Sequence, residues 1–499
     1  MLRRMSMVVV LGMLAVLPAG AMESRVVDFD YVLGRAKELA KKPYDDEWGT
    51  VPKSLRELSY EQYQNIQFDP EKALWRDSGT PFRIEFLHTG YIYTHAVVIH
   101  EFTESHEQEI PFNPDLFSYG KTWLKRSVPS SLGYAGFRVL TPLHEPGRFE
   151  ELAAFQGSSY FRARGRDRGY GLSARGIAIN TVASQPEEFP SFREFWLGKP
   201  ATQAVSLVVY ALLDGPGETG AYAFILNPND SIHVDVRATL FFRKTPLQLG
   251  LAPFSSMFAF GENSFQKPQD YRLEVHDSDG LVIADGEDRI WRPLVNPPER
   301  SVSEFPFKSP VAFGLLQRDR DFESYQDMFA GYHRRTSAWV EPGSWGAGKV
   351  LLYEFASKNE ANDNVVAFWE PEKMPVPGEP YSFNYTLHFD DDDASALGRV
   401  VATRTGLALY HPELREFVVD FKSKRLTALP AVAQVKAVVS TTPWINIHSQ
   451  VLVKNPYNDT WRLILQFKLP RSSTHVDIES HLEYEGTPIS ETWSYGWVD

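Results

Sequence analysis

The chain of 499 residues contains no cysteine, so no disulfide braces it in any compartment and its stability must come from packing. It also lacks an excess of positive charge: 51 basic against 64 acidic residues give a net charge of −13, which becomes −15 once residues 1–21, with Arg3, Arg4 and no acid, are removed. Repulsion of this sign argues against DNA, RNA or anionic lipid as the main partner. Beyond the N-terminal segment no run reaches the roughly eighteen uninterrupted apolar residues of a membrane-spanning helix. Familiar catalytic signatures are missing as well. There is no Walker loop, no GxGxxG and no HExxH, and Gly171-Leu172-Ser173-Ala174-Arg175 fails the GxSxG pattern at its fifth residue. His95 and His100 stand an odd spacing apart in an expected strand, on opposite faces, so they read as ordinary sheet residues rather than a metal pair. The aspartate run from Asp390 lacks the glycine and closing glutamate of a calcium loop. No metal and no cofactor are expected.

What is present begins with an export signal: Arg3 and Arg4, an apolar run over residues 8–17, then Pro18 and Ala19-Gly20-Ala21, with a cut expected after Ala21. A periplasmic or secreted product follows. Aromatic residues make up 13 %, including 12 Trp and 22 Tyr. Sugar rings offer flat C–H faces and many hydroxyls, and sites that hold them combine aromatic platforms with fixed polar groups. β-sheet cores use the same residues.

The clearest strand is expected at residues 232–242, where apolar side chains recur every second position. Similar runs fall at 204–213, 222–226, 350–355 and 365–369, separated by turns such as Asp214-Gly215-Pro216-Gly217. Helical patterning is sparse, the best case being residues 29–42 with one apolar stripe. These features predict an all-β protein: a large N-terminal β-sandwich over residues 22–389 and a smaller C-terminal immunoglobulin-like sandwich over 399–499, with its seven or so alternating runs. Four consecutive aspartates from Asp390 resist burial and mark 390–398 as a linker.

With serine, metal and nucleotide chemistry set aside, carboxylates embedded among aromatics remain. Glycosidic cleavage needs such groups: one acid to protonate the leaving oxygen and one base to activate water. Two segments carry them, residues 271–281 followed by Trp291-Arg292-Pro293, and Asn362-Asp363-Asn364 leading into Phe368-Trp369. Asp277 and Asp279 also read as a hairpin turn by composition, and Asp363 as a strand-start turn residue. Trp345 suits a stacking platform or a packed turn equally. Arg162, Arg164, Arg166 and Arg168 alternate, as either a site for anionic substituents or a solvated strand face.

At these same segments, and at Gly157-Ser158-Ser159-Tyr160-Phe161-Arg162-Ala163, Tyr170-Gly171-Leu172-Ser173-Ala174-Arg175-Gly176 and 339–346, the sequence resembles the periplasmic glucan biosynthesis protein G/D family, from about residue 29 to the C-terminus. The resemblance implies a galactose-mutarotase-like sandwich carrying a groove, joined to an immunoglobulin-like one. It implies a role in making osmoregulated periplasmic glucans, by anomer-inverting endo-β-1,2-glucanase or transglycosylase chemistry. It assigns the general acid to Asp363 and the base to Asp277 or Asp279, Asp277 being preferred. An acid that stays protonated near neutral pH calls for partial burial or a neighbouring negative charge. The expected sugar-binding set is Tyr160, Arg164, Tyr271, His276, Trp291, Arg292, Trp345 and Trp369. The competing expectation is a non-catalytic factor that guides a nascent glucan and docks on a glucan synthase or another envelope protein.

Overall fold

The computed structural model describes residues 26–498 apart from 121, 230, 266–267, 287, 391–394, 442–444 and 469–474. The export signal at 1–21 and most of the aspartate run lie outside the described residues. The architecture is all-β. One sheet runs in the spatial order Arg83–His88, Tyr134–Pro142, Phe149–Gln156, Tyr160–Ala163, Ser173–Arg175, Leu249–Ser256, Val365–Pro371, Gly348–Glu354, Ser301–Phe307. A second, longer sheet packs against it, with Ala338–Pro342, Pro380–His388, Ile232–Phe242, Glu218–Pro228, Leu207–Asp214 and Ser191–Gly198 side by side. The layers meet through aromatic rings: Phe224 lies 5.1 Å from both Phe155 and Phe161, and Phe137 5.1 Å from Phe195. Burying each such side chain is worth about 1.5–3 kcal/mol.

The strand Ile232–Phe242 shows why alternation is readable in one half and lost in the other. Ile232, Val234, Val236 and Ala238 point into the main core, but Thr239 to Phe242 are all buried. There the outer face is covered by the helix Phe29–Ala40, whose Val32 and Ala36 pack with Phe241 and Trp196. Asp28 starts that helix by accepting from the Tyr31 amide at 2.8 Å, a cap worth about 1 kcal/mol.

Glu218 is buried at the turn end of the strand Glu218–Pro228, and neither carboxyl oxygen has a hydrogen-bond partner among the described residues. Burial, reinforced by Glu188, pushes its pKa to about 8. The folded value exceeds the unfolded one, so its contribution to stability is complete below the ordinary carboxylate range and is lost as pH rises through about 8. Glu218→Gln should therefore melt above the parent at pH 9 and match it in acid, a difference visible in paired thermal scans.

The C-terminal unit is a sandwich of Arg399–Ala408, His411–Lys422, Trp461–Phe467 and Ile447–Lys454 against Val435–Thr441, His475–Tyr484 and Thr492–Val498. Its own core gathers Phe417, Trp461, Trp493 and Tyr495. It does not hang from a free tether: Thr492–Val498 pairs in parallel with Asp288–Pro293, so the long sheet runs through both units. Arg318 binds Glu491 at 2.6 Å, and Glu262 accepts from the Thr403 amide and pairs with Arg404 at 3.0 Å.

Candidate functional site

Asp363 is positioned by the residue that follows it. Asn364 is fully buried; its Oδ1 accepts from the Phe258 amide at 2.9 Å and its Nδ2 donates to the carbonyls of Phe258 and Phe355 at 3.0 Å each. With that amide pinned inward just before the strand Val365–Pro371, the preceding side chain faces the other way. Asp363 is exposed on the wall of a cavity of about 580 Å³, rather than half-buried as an acid needing desolvation would be.

The cavity is lined by aromatic and fixed polar groups, among them Trp48, Tyr93, His95, Arg138, Glu151, Tyr160, Arg162 and Tyr170. Their orientation is set before any ligand arrives. Arg162 donates to Ser173 Oγ at 2.7 Å, Tyr170 donates to Glu151 at 2.9 Å, and Arg138 lies between Glu85 at 2.9 Å and Glu151 at 3.3 Å. The turn beneath them needs its glycine: Gly157 has φ +76°, and a Cβ there would come within 3.3 Å of the Tyr93 ring.

Asp277 reaches the same region from the other sequence segment. Its carboxyl is largely buried, 3.1 Å from Arg335 Nε without the alignment of a hydrogen bond. Burial raises its pKa above the usual carboxylate range; Arg335 opposes that rise and the nearby Asp363 charge adds to it. Asp277 thus senses the charge of Asp363. Arg335 is itself held by donating to the Tyr170 carbonyl.

Asp279 faces elsewhere. Its Oδ2 accepts from the amides of Arg318 and Asp319 at 2.6 Å each, and its Oδ1 lies 3.3 Å from His276 Nε2. The segment Asp277-Ser278-Asp279-Gly280 is a crossover, not a hairpin turn: Val275–His276 pairs with Phe258–Phe260, whereas Gly280–Asp285 enters the long sheet. Long-range backbone bonds, from the Asp277 amide to the Met257 carbonyl at 2.8 Å and from the Asp279 amide to that of Leu316 at 2.7 Å, replace the local turn that composition suggests.

His276 is fully buried beneath the site. Gln317 Nε2 donates to the carbonyls of His276 and Tyr332, so its Oε1 must accept from Nδ1, 2.9 Å away. Nε2 is left between Glu274 at 2.9 Å and Asp279 at 3.3 Å. Burial alone would depress this histidine, but Asp279 and Glu274 outweigh it and raise its pKa to about 9. These three residues are the one group among the described residues whose ligand atoms converge as a metal site would.

The remaining expected sugar-binding residues are scattered. Tyr160 lines the cavity, whereas Tyr271 is exposed outside its lining, its neighbour Arg272 pairing with Glu360 at 2.7 Å. Arg164 is spent on the carbonyls of Glu151 and Arg168, and Arg166 on that of Leu143, so the alternating arginines form no solvated strand face. Trp291 packs in the C-terminal core with the Arg318 guanidinium 3.7 Å from its ring, and Arg292 bonds Asp477 at 3.0 Å and Ser303 at 2.8 Å. Trp345 and Trp369 are buried together, Trp345 donating to the Asn384 carbonyl. These tryptophans are core: Trp291 and Trp369 lie in strands buried on both faces, and Trp345 packs on Trp369 from the turn between Ala338–Pro342 and Gly348–Glu354. Trp48, Tyr93, His95, Arg138 and Glu151 carry no signal of their own in the sequence; the segments that point to this cavity are Asn362-Asp363-Asn364, which contributes Asp363, and the motifs at 157–163 and 170–176, which contribute Tyr160, Arg162 and Tyr170.

Fold and cavity together define an all-β sandwich protein with a polar, aromatic cleft in its larger unit. The chain belongs to the family described as periplasmic glucan biosynthesis protein, MdoG, whose model matches residues 27–497. It is 42 % identical to the glucans biosynthesis protein G of Ralstonia nicotianae, covering 97 % of this chain and 98 % of that one. The proteins of the same name from Sodalis glossinidius and Rhodopseudomonas palustris are each 40 % identical, over 97 % and 96 % of this chain and 96 % of each of theirs. No helix among the described residues is long and apolar enough to cross a membrane.

Proposed function

We propose that this protein cleaves or rearranges β-1,2-glucan in the periplasm during the synthesis of osmoregulated glucans, with inversion at the anomeric carbon. Asp363 donates a proton to the glycosidic oxygen as the C–O bond breaks. Asp277 takes a proton from the water, or acceptor hydroxyl, whose oxygen forms the new bond to that carbon. The observation that carries this reading is the convergence of the two aspartates: one exposed on the wall of a 580 Å³ polar and aromatic cavity, the other buried within range of its charge. A raised pKa makes Asp277 a stronger base when ionised, and the adjacent Arg335 keeps that ionised form accessible.

The test is a product assay with purified mature protein on linear β-1,2-, β-1,3-, β-1,4- and β-1,6-glucans. Release or redistribution of oligosaccharides from the β-1,2 polymer alone is expected. Polymer bound but unchanged would assign the cleft to guiding a nascent chain instead, and cleavage of another linkage would move the substrate. Within the active protein, Asp277→Asn should cut turnover about 100-fold or more while leaving glucan affinity near that of the parent.

A further inference from the structure

Close to the candidate catalytic pair the surface carries aromatic and sulfur side chains held out in water. Phe329 is 101 % exposed, Met328 83 % and Tyr271 73 %. Singly exposed apolar residues need no explanation, but the backbone that bears these is braced by a dedicated set of bonds. Asp327 Oδ1 accepts from the amides of Phe329 and Ala330 at 2.9 and 2.8 Å. Its Oδ2 pairs with Arg272 Nη1 at 2.9 Å, and the same guanidinium grips Asp270 at 2.8 Å and Glu360 at 2.7 Å. Arg272 thus ties together the segment bearing Tyr271, the loop bearing Phe329 and the turn that leads to Asp363. Tyr332, a few residues on, feels the charges of both Glu360 and Asp277, which makes this rim continuous with the catalytic region.

We propose that Tyr271 and Phe329 form an aromatic platform that holds glucosyl units of a β-linked glucan beyond the bond being broken. This rests on the glucan reading of the cleft. Flat rings beside rigidly held carboxylates and a guanidinium match a sugar, with its apolar C–H faces and surrounding hydroxyls. Anionic lipid is disfavoured by Asp270, Asp327 and Glu360 at the same rim. A stable protein partner needs roughly 800 Å² on each side, far more than a few separated side chains offer.

The test separates binding from turnover. The mature Asp363→Asn protein is titrated with long linear β-1,2-glucan and with the β-1,2-linked trisaccharide, alone and combined with Tyr271→Ala or Phe329→Ala. Each aromatic loss should weaken binding of the polymer about tenfold, the equivalent of about 1.4 kcal/mol. Trisaccharide affinity and melting temperature should stay at the parent's values, and Phe329→Tyr should restore polymer binding. Unchanged polymer affinity in both alanine variants overturns the platform while leaving the catalytic reading intact. Self-association abolished by Phe329→Ala, with polymer affinity unaltered, also overturns it and assigns the patch to a second copy of the chain. Should Asp363→Asn still turn the polymer over, the acid assignment fails, and the platform is judged by the same affinity ratios in the wild-type background.

Discussion

Asp363→Asn is expected to reduce turnover of linear β-1,2-glucan by about 100- to 10,000-fold, the range over which a positioned proton donor acts, with no loss of fold because the side chain is exposed. Asparagine keeps the shape and removes the transferable proton. A substrate with a phenolic leaving group needs little protonation on departure, so the Asp363→Asn deficit should shrink on an aryl β-1,2-linked disaccharide. The Asp277→Asn deficit should not, because attack by water still needs its base. Burial gives Asp277 the raised proton affinity, which suits either half of an acid/base couple, and this pair of substrates tells the halves apart. Equal deficits on both would exchange or dissolve the assigned roles.

Asp214→Ala should cost about 3–5 kcal/mol of stability, measured by denaturant unfolding, because it strands two charged partners in a buried place. Asp214 is fully buried and binds Arg193 at 2.6 Å and Arg243 at 2.9 Å. Arg243 in turn donates to the carbonyls of Leu39 and Lys42 and so clamps the helix Phe29–Ala40 onto the sheet. Arg193 sits 4.8 Å from the ring of Trp48, which lines the cleft. The loss should therefore also weaken glucan binding, whereas Asp214→Asn, which keeps the shape and part of the hydrogen bonding, should cost less on both counts.

The strands were legible because a sheet with one buried face writes a period of two into the chain. Residues 232–242 and 365–369 fall within observed strands, and the helix beginning at Phe29 carries its apolar stripe where expected. Where a second layer covers the outer face, as at Phe241, that period vanishes. The continuous sheet joining the two units was hidden for another reason: its junction pairs Ile290 with Thr492 and Trp291 with Trp493, and no local pattern reports a partner so distant in sequence. At the site, the family resemblance points to Asp363 and Asp277, while the spacing around them reads equally as turns, and the tryptophans of the same segments are core. Composition does not distinguish a ring aimed between two sheets from one aimed into a cleft; Trp345 and Trp369 took the first course and Tyr93 and Tyr160 the second. Arg335 and Gln317 could not be found at all, since each acts through contacts made across the fold, to Asp277 and Tyr170 and to His276 and Tyr332.

Inverting cleavage by a carboxylic acid in the cleft leaves a stereochemical mark that no bystander role can produce. Proton NMR of the first new reducing ends released from linear β-1,2-glucan reads that mark directly. The α anomer should appear first and then relax to the equilibrium mixture; initial release of the β anomer, or a polymer left whole after prolonged incubation, would contradict it.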